Sequence, residues 1–208
     1  MKYKWLNRGE NNKIILFFNG WGMDKNVVKH LDCEDYDVLM FYDYNTLETD
    51  FDWDSLNIYS EKNLIAWSMG VMISGCLAPS LTLPLGEGRK IAINGTLKPI
   101  HAEFGIHPKI YDLTINGFDE KGRNRFINSM FLKKQEINPS RNIQNQHSEL
   151  IALKNYKSNT DFKYTKVIIS DNDKIIPTKS QVKFWGVEPN IKAGHCPFFE
   201  FEKWSELL

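Results

Sequence analysis

The sequence predicts an α/β fold: a mostly parallel sheet covered by helices on both faces. Three observations carry this. Short apolar runs alternate along the chain with stretches of helical periodicity, the rhythm of successive βα units. The runs are continuous rather than alternating, as in strands buried on both faces. Of the 208 residues, 42% are hydrophobic, enough for a sizeable core in one domain spanning 1–208.

Strands are expected at 13–18, 37–42, 63–67, 89–94, 165–170 and 190–192. The first is the run Ile14-Ile15-Leu16-Phe17-Phe18. Helices are expected at 24–31, 69–78, 178–185 and 198–207. Asp24 suits an N-cap for the first, and Pro177-Thr178 suits the start of the third. Residues 97–160 break the βα rhythm. Within them Phe126, Ile127, Met130 and Phe131 recur at helical spacing, so Asn124–Leu132 reads as a helix. An insertion there would lie over the C-terminal edge of the sheet, where open α/β sheets bind ligands. It reads as a small cap walling an apolar pocket.

Charge excludes some function classes. Lys plus Arg and Asp plus Glu both total 26, so nothing favours nucleic acid. The charges are segregated, however. Ten carboxylates and no Lys or Arg fall within 32–61, whereas 121–141 holds Lys121, Arg123, Arg125, Lys133, Lys134 and Arg141 against Glu136 alone. Two solvated faces, or a basic patch for an acidic partner, would produce this pattern. Cys33, Cys76 and Cys196 have no paired spacing, as expected of reduced thiols in the cytosol. No apolar run suggests a membrane span or a secretory leader.

The chemistry gathers in four places. Ala66-Trp67-Ser68-Met69-Gly70 follows an apolar run and opens a helical one. A serine between small residues at a strand-to-helix turn is a G-x-S-x-G elbow with alanine first, a way to expose a weak nucleophile. Ser60, Ser74 and Ser170 lack that context. Near the C-terminus stands Gly194-His195-Cys196-Pro197-Phe198, and His195 is the candidate general base. The run Val167-Ile168-Ile169 ends in a loop carrying Asp171 and Asp173, either of which could orient the imidazole. Asn19-Gly20-Trp21-Gly22 follows the first strand. Its Trp21 N–H, with that of Met69 after the serine, would form an oxyanion hole. His101 and His107 lack a ligand spacing, so no metal is expected.

These four motifs, in this order, resemble the esterases that cleave the methyl ester of pimeloyl-acyl carrier protein in biotin synthesis. The likeness is to a compact branch once known only as a domain of unknown function. The resemblance implies an α/β-hydrolase fold and a Ser68–Asp173–His195 triad, with Asp173 favoured because the family's acid stands four before a proline. It implies a cytoplasmic carboxylesterase without cofactor. It also implies a cap that meets acyl carrier protein through basic residues, here drawn from Arg123, Arg125, Lys133, Lys134 and Arg141. Asn19 stands where many relatives have His, and Ala66 where many have Gly; neither removes a catalytic atom. Another small ester or thioester on the same scaffold is the alternative substrate, and a non-catalytic binding protein is the more distant one.

Overall fold

A computed structural model describes residues 1–77, 88–133 and 135–208. Six strands form one sheet in the order β1-β3-β2-β4-β5-β6. They are β1 Lys2–Asn7, β2 Lys13–Phe18, β3 Tyr36–Tyr42, β4 Glu61–Trp67, β5 Lys90–Ile93 and β6 Lys166–Ile168. β1 pairs antiparallel with β3 and every other pairing is parallel.

The pleat sorts the apolar runs into two cores. Ile14, Leu16 and Phe18 face one side with Leu39, Phe41, Leu64, Ala66 and Ala92. Ile15 and Phe17 face the other with Val38, Met40, Ile65, Trp67, Ile91 and Ile93. Period-2 geometry makes this division unavoidable once the strands are in register. Both faces are covered, which is why the runs are continuous. Burying each Val, Leu, Ile, Phe or Met among them contributes about 1.5–3 kcal/mol.

Helix α1 (Met69–Cys76) follows β4 directly. Its predicted last residue, 78, lies outside the described residues. Among the described residues three helices lie between β5 and β6: α2 Pro108–Asn116, α3 Glu120–Ser129 and α4 Ile143–Leu153. α3 begins four residues before the predicted Asn124 because the Asp119 side chain accepts a 2.7 Å hydrogen bond from Gly122 N–H. Tyr111, Leu150 and Leu153 join the first core, and Ile127 and Met130 the second. The final helix, α5 (Thr178–Trp185), has the predicted bounds. No helix among the described residues is long and apolar enough to cross a membrane.

Several expectations change. β1 was not expected. It is a half-exposed edge strand with Lys2 and Lys4 alternating against Tyr3 and Trp5, the pattern that protects a sheet edge. The run 165–170 shortens to a three-residue strand. Instead of a strand at 190–192 there is a single bridge, Ser170 to Ile191. The predicted helix 24–31 is only a 3-10 turn, Lys25–Val27, although Asp24 does cap it. The predicted helix 198–207 is two 3-10 turns, Phe198–Glu200 and Trp204–Leu207. Between them the chain is pulled straight by the Asp32–Lys203 bridge, with Asp32 N–H donating to Glu202 O at 2.8 Å.

Candidate active site

Ser68 sits alone between β4 and α1, at φ 58° and ψ −122°. A positive φ is costly for a residue with a Cβ, and such strain is characteristic of functional turns. The turn is held because Ser68 N–H donates to Ile93 O at 2.9 Å. A Cβ at Gly70 would lie 2.7 Å from Asn19 O and closer still to Phe18 O, so the helix can start here only with glycine. Ala66 is fully buried.

His195 is anchored through its backbone. Its carbonyl accepts from Trp67 Nε1 at 2.8 Å and from Asn94 Nδ2 at 2.9 Å. Its ring is 1% exposed. Nε2 lies 2.8 Å from Ser68 Oγ and Nδ1 lies 2.8 Å from Asp173 Oδ2. A carboxylate can only accept, so Nδ1 carries the proton and Nε2 presents its lone pair to the hydroxyl. The structure brings Asp173, not Asp171, to the imidazole; Asp171 is exposed. Asp173 is oriented by its own loop, with Oδ1 accepting from Ile175 N–H (2.8 Å) and Ile176 N–H (3.1 Å).

One contributor was missed. Gln181 on α5 is fully buried and donates from Nε2 to Asp173 Oδ2 at 2.8 Å and to Ile176 O at 2.7 Å. Its position in the first turn after Pro177 was the available signal, but a glutamine there is ordinary.

Above Ser68 lies a cavity of about 190 Å³. Its walls are mostly apolar, including Trp21, Tyr111, Phe126, Leu150 and Ile175, with Lys174 the only Lys or Arg among the described residues that line it. Trp21 and Met69 both line it. Among the described residues neither of their backbone N–H groups has an acceptor within the protein. The Trp21 indole is engaged elsewhere, donating to Gln146 O at 2.9 Å and packing on Phe118 and Phe126.

The basic residues separate. Arg125 is exposed and lines a surface groove with Ile110, Leu113 and Phe118. That groove shares Ile110, Thr114 and Phe126 with the cavity. Lys133 is exposed, and Lys134 lies outside the described residues. Arg123 is partly turned inward, donating to Asn138 Oδ1 and Pro139 O. Arg141 corrects the expectation of a surface contact. Its side chain is 6% exposed and pairs with Glu149 at 2.7 Å and Asp43 at 3.2 Å, because two buried carboxylates need its charge. All three cysteines are free thiols.

A family model described as pimeloyl-ACP methyl esterase BioG matches residues 1–207. The chain belongs to the BioG family. An uncharacterized protein of Haemophilus influenzae is 31% identical over 221 residues, covering 100% of this chain and 99% of its own. The crystal structure of BioG from Haemophilus influenzae superposes with a TM-score of 0.88 at 30% identity, covering 100% of this chain and 99% of that one. A malonyl-[acyl-carrier protein] O-methyltransferase of Bacteroides fragilis is 36% identical over 182 residues. That match covers 83% of this chain but only 36% of the Bacteroides protein, so this chain corresponds to about a third of it. More distant structures show the fold. An enol-lactonase of Burkholderia xenovorans has TM-score 0.64 at 14% identity, covering 96% of this chain and 90% of that one. A thermophilic esterase of Thermogutta terrifontis has TM-score 0.64 at 12% identity, with 94% and 86% covered. The fold is that of the α/β hydrolases, and the family to which the chain belongs is described as pimeloyl-ACP methyl esterases.

Proposed function

We propose that this chain is a serine carboxylesterase that hydrolyses the methyl ester of pimeloyl-acyl carrier protein. The observation that carries the reading is the buried relay from Ser68 Oγ through His195 to Asp173, with both links 2.8 Å long. In the proposed reaction His195 Nε2 takes the Ser68 proton as Oγ attacks the ester carbonyl. The oxyanion rests on the Trp21 and Met69 N–H groups. His195 returns the proton to the departing methanol, leaving an acyl-enzyme on Ser68. Water then attacks with His195 as base, releasing the free acid and restoring the serine. Asp173 holds the imidazole in the required tautomer and stabilises its charged form. No cofactor enters these steps.

The substrate assignment is supported by the family and by the cavity. A mostly apolar cavity suits a polymethylene chain. Under this reading the 97–160 segment, with α2, α3 and α4, acts as the cap. The groove past Ile110 and Leu113 then suits the carrier's arm, with Arg125 in its lining for the acidic carrier and the exposed Lys133 a further candidate. The Bacteroides relative supports the same chemistry: its name describes O-methylation of a carrier-linked acyl group, whose product is the kind of ester removed here. The unpaired thiols fit a reducing, cytoplasmic setting.

The deciding experiment incubates wild type and Ser68→Ala with pimeloyl-acyl carrier protein methyl ester and follows the free acid by mass spectrometry. Wild type should turn over; the variant should lose about 10⁴-fold or more while melting normally. Near-normal turnover by Ser68→Ala would defeat the mechanism. Wild-type activity restricted to short free esters would defeat the substrate.

A further inference from the structure

The loop that offers the Trp21 amide is held from outside the sheet, by α4. Of the five consecutive amides from Asn19 to Met23, four are engaged. Asn19 N–H donates to Phe41 O, Gly20 N–H to its neighbour's Asn19 Oδ1, Gly22 N–H to Glu149 Oε2 and Met23 N–H to Gly20 O. Only Trp21 N–H is left over among the described residues, and Trp21 is one of the residues lining the cavity.

Three of the loop's tethers come from α4. Gln146 Nε2 donates to Gly22 O at 2.7 Å, the Trp21 indole donates to Gln146 O at 2.9 Å, and Glu149 Oε2 accepts from Gly22 N–H at 3.1 Å. Gly22 turns at a φ of +72°, a conformation open to glycine without steric cost. The other Glu149 oxygen accepts from Tyr44 N–H at 2.7 Å, and Tyr44 O–H reaches back to Asn19 O at 2.9 Å. One carboxylate thus ties together the loops that follow β2 and β3. It is fully buried, and Arg141 at 2.7 Å balances its charge. Burial still pushes the Glu149 carboxyl above the usual carboxylate range. Gln146 Oε1 is buried with no partner, so this glutamine stands here for its donor alone.

We propose that Glu149 and Gln146 are positioning residues: from α4 they fix the peptide planes on either side of Gly22, while the Gln146 carbonyl holds the Trp21 indole, so that the Trp21 N–H points at the developing oxyanion. The proposal rests on the esterase reading above and goes beyond it, because neither residue touches substrate in this scheme. Displacing an oxyanion donor should cost less than deleting one, which removes about 10²–10³-fold in rate.

The test uses the full chain, Gln146→Met and Glu149→Gln, a p-nitrophenyl ester, and a trifluoromethyl ketone whose serine adduct carries an oxyanion. Active sites are counted by end-point labelling with a fluorophosphonate. Each variant should lose about tenfold to a hundredfold in kcat per labelled site, with KM within about twofold. Affinity for the ketone should fall by a similar factor. If the loss follows only the number of labelled sites, with the survivors running at the wild-type rate, α4 merely docks and the proposal is overturned. Unchanged ketone affinity overturns it equally. Gln146→Met removes one tether and carries the test if Glu149→Gln fails to fold. Wild-type inertness toward esters would instead be a failure of the esterase reading.

Discussion

The sheet and the segment between β5 and β6 are held together by different forces. In β2, β3 and β4 the backbone is satisfied by ladder bonds and most side chains are apolar and buried, the polar ones gathering toward the strand starts. The segment is tied down by polar and ionic contacts. Arg141 joins Glu149 and Asp43, Asn145 Nδ2 reaches Asp43 Oδ1 at 3.3 Å, His147 Nε2 pairs with Ile115 O at 3.0 Å, and Gln146 grips Gly22. It also leaves Ile110 55% and Leu113 65% exposed beside the cavity. Packing is tolerant of conservative change and directionless. A charged network is intolerant and points at particular atoms. The sheet thus supplies the platform, while the segment aims and encloses.

This contrast can be broken in ranked ways. The largest effect is expected from Arg141→Met, which strands the buried Glu149 and should cost about 3–5 kcal/mol in urea unfolding. Its pH dependence has a definite sign. The Glu149 carboxyl is already raised in the folded chain by burial, and losing Arg141 raises it further. The unfolded chain therefore ionises first, and stability falls as pH rises above the ordinary value of 4.5. The variant's deficit should shrink near that pH; a deficit that grew on acidification would contradict the network. Next comes Gly70→Ala, a test of the sheet side, where backbone must move to admit one methyl group. About 3 kcal/mol or more is expected, read by the same unfolding curve, and a neutral result would mean the elbow is not close-packed.

A smaller and purely functional effect is expected from Arg125→Glu. Stability should stay within about 0.5 kcal/mol. KM for the carrier-linked ester should rise several-fold while a small free ester is unaffected, and added salt should narrow the difference. Equal effects on both esters would remove Arg125 from the carrier's path. The smallest effect belongs to the thiols. Burial pushes the Cys76 thiol up to about 11 and raises Cys196 too. At pH 8 about one Cys76 in a thousand is thiolate, so iodoacetamide should leave activity intact, with alkylation speeding up as pH climbs toward 11. Rapid inactivation at pH 8 would point to a cysteine in the chemistry.

Legibility followed the same division. The run Ile14–Phe18 announced β2 because a doubly buried strand has nowhere to put a polar residue. β1 escaped because its Lys and aromatic residues alternate at low overall hydrophobicity, and only the exposed edge of β3 makes it a strand. Residues 198–207 looked helical from composition, yet contacts with Asp32 divide them. At the site, Ser68 and His195 could be found because each needs a local turn that leaves a sequence trace. Asp171 and Asp173 were equivalent on spacing; the resemblance favoured Asp173, and in the fold it is Asp173 that lies 2.8 Å from His195 Nδ1, its other oxygen held by the Ile175 and Ile176 amides. Gln146 and Glu149 left no trace, and Gln181 only an ordinary place shortly after Pro177, because each acts through a partner that folding alone brings near.

The positive φ of Ser68 has a practical consequence. Holding a serine in that region costs about 1–3 kcal/mol, a penalty that glycine does not carry. A laboratory-evolution campaign screened for heat resistance alone would therefore be drawn to glycine at position 68, discarding the hydroxyl in exchange for robustness. Any library built to harden this scaffold has to keep that codon out of the randomised set.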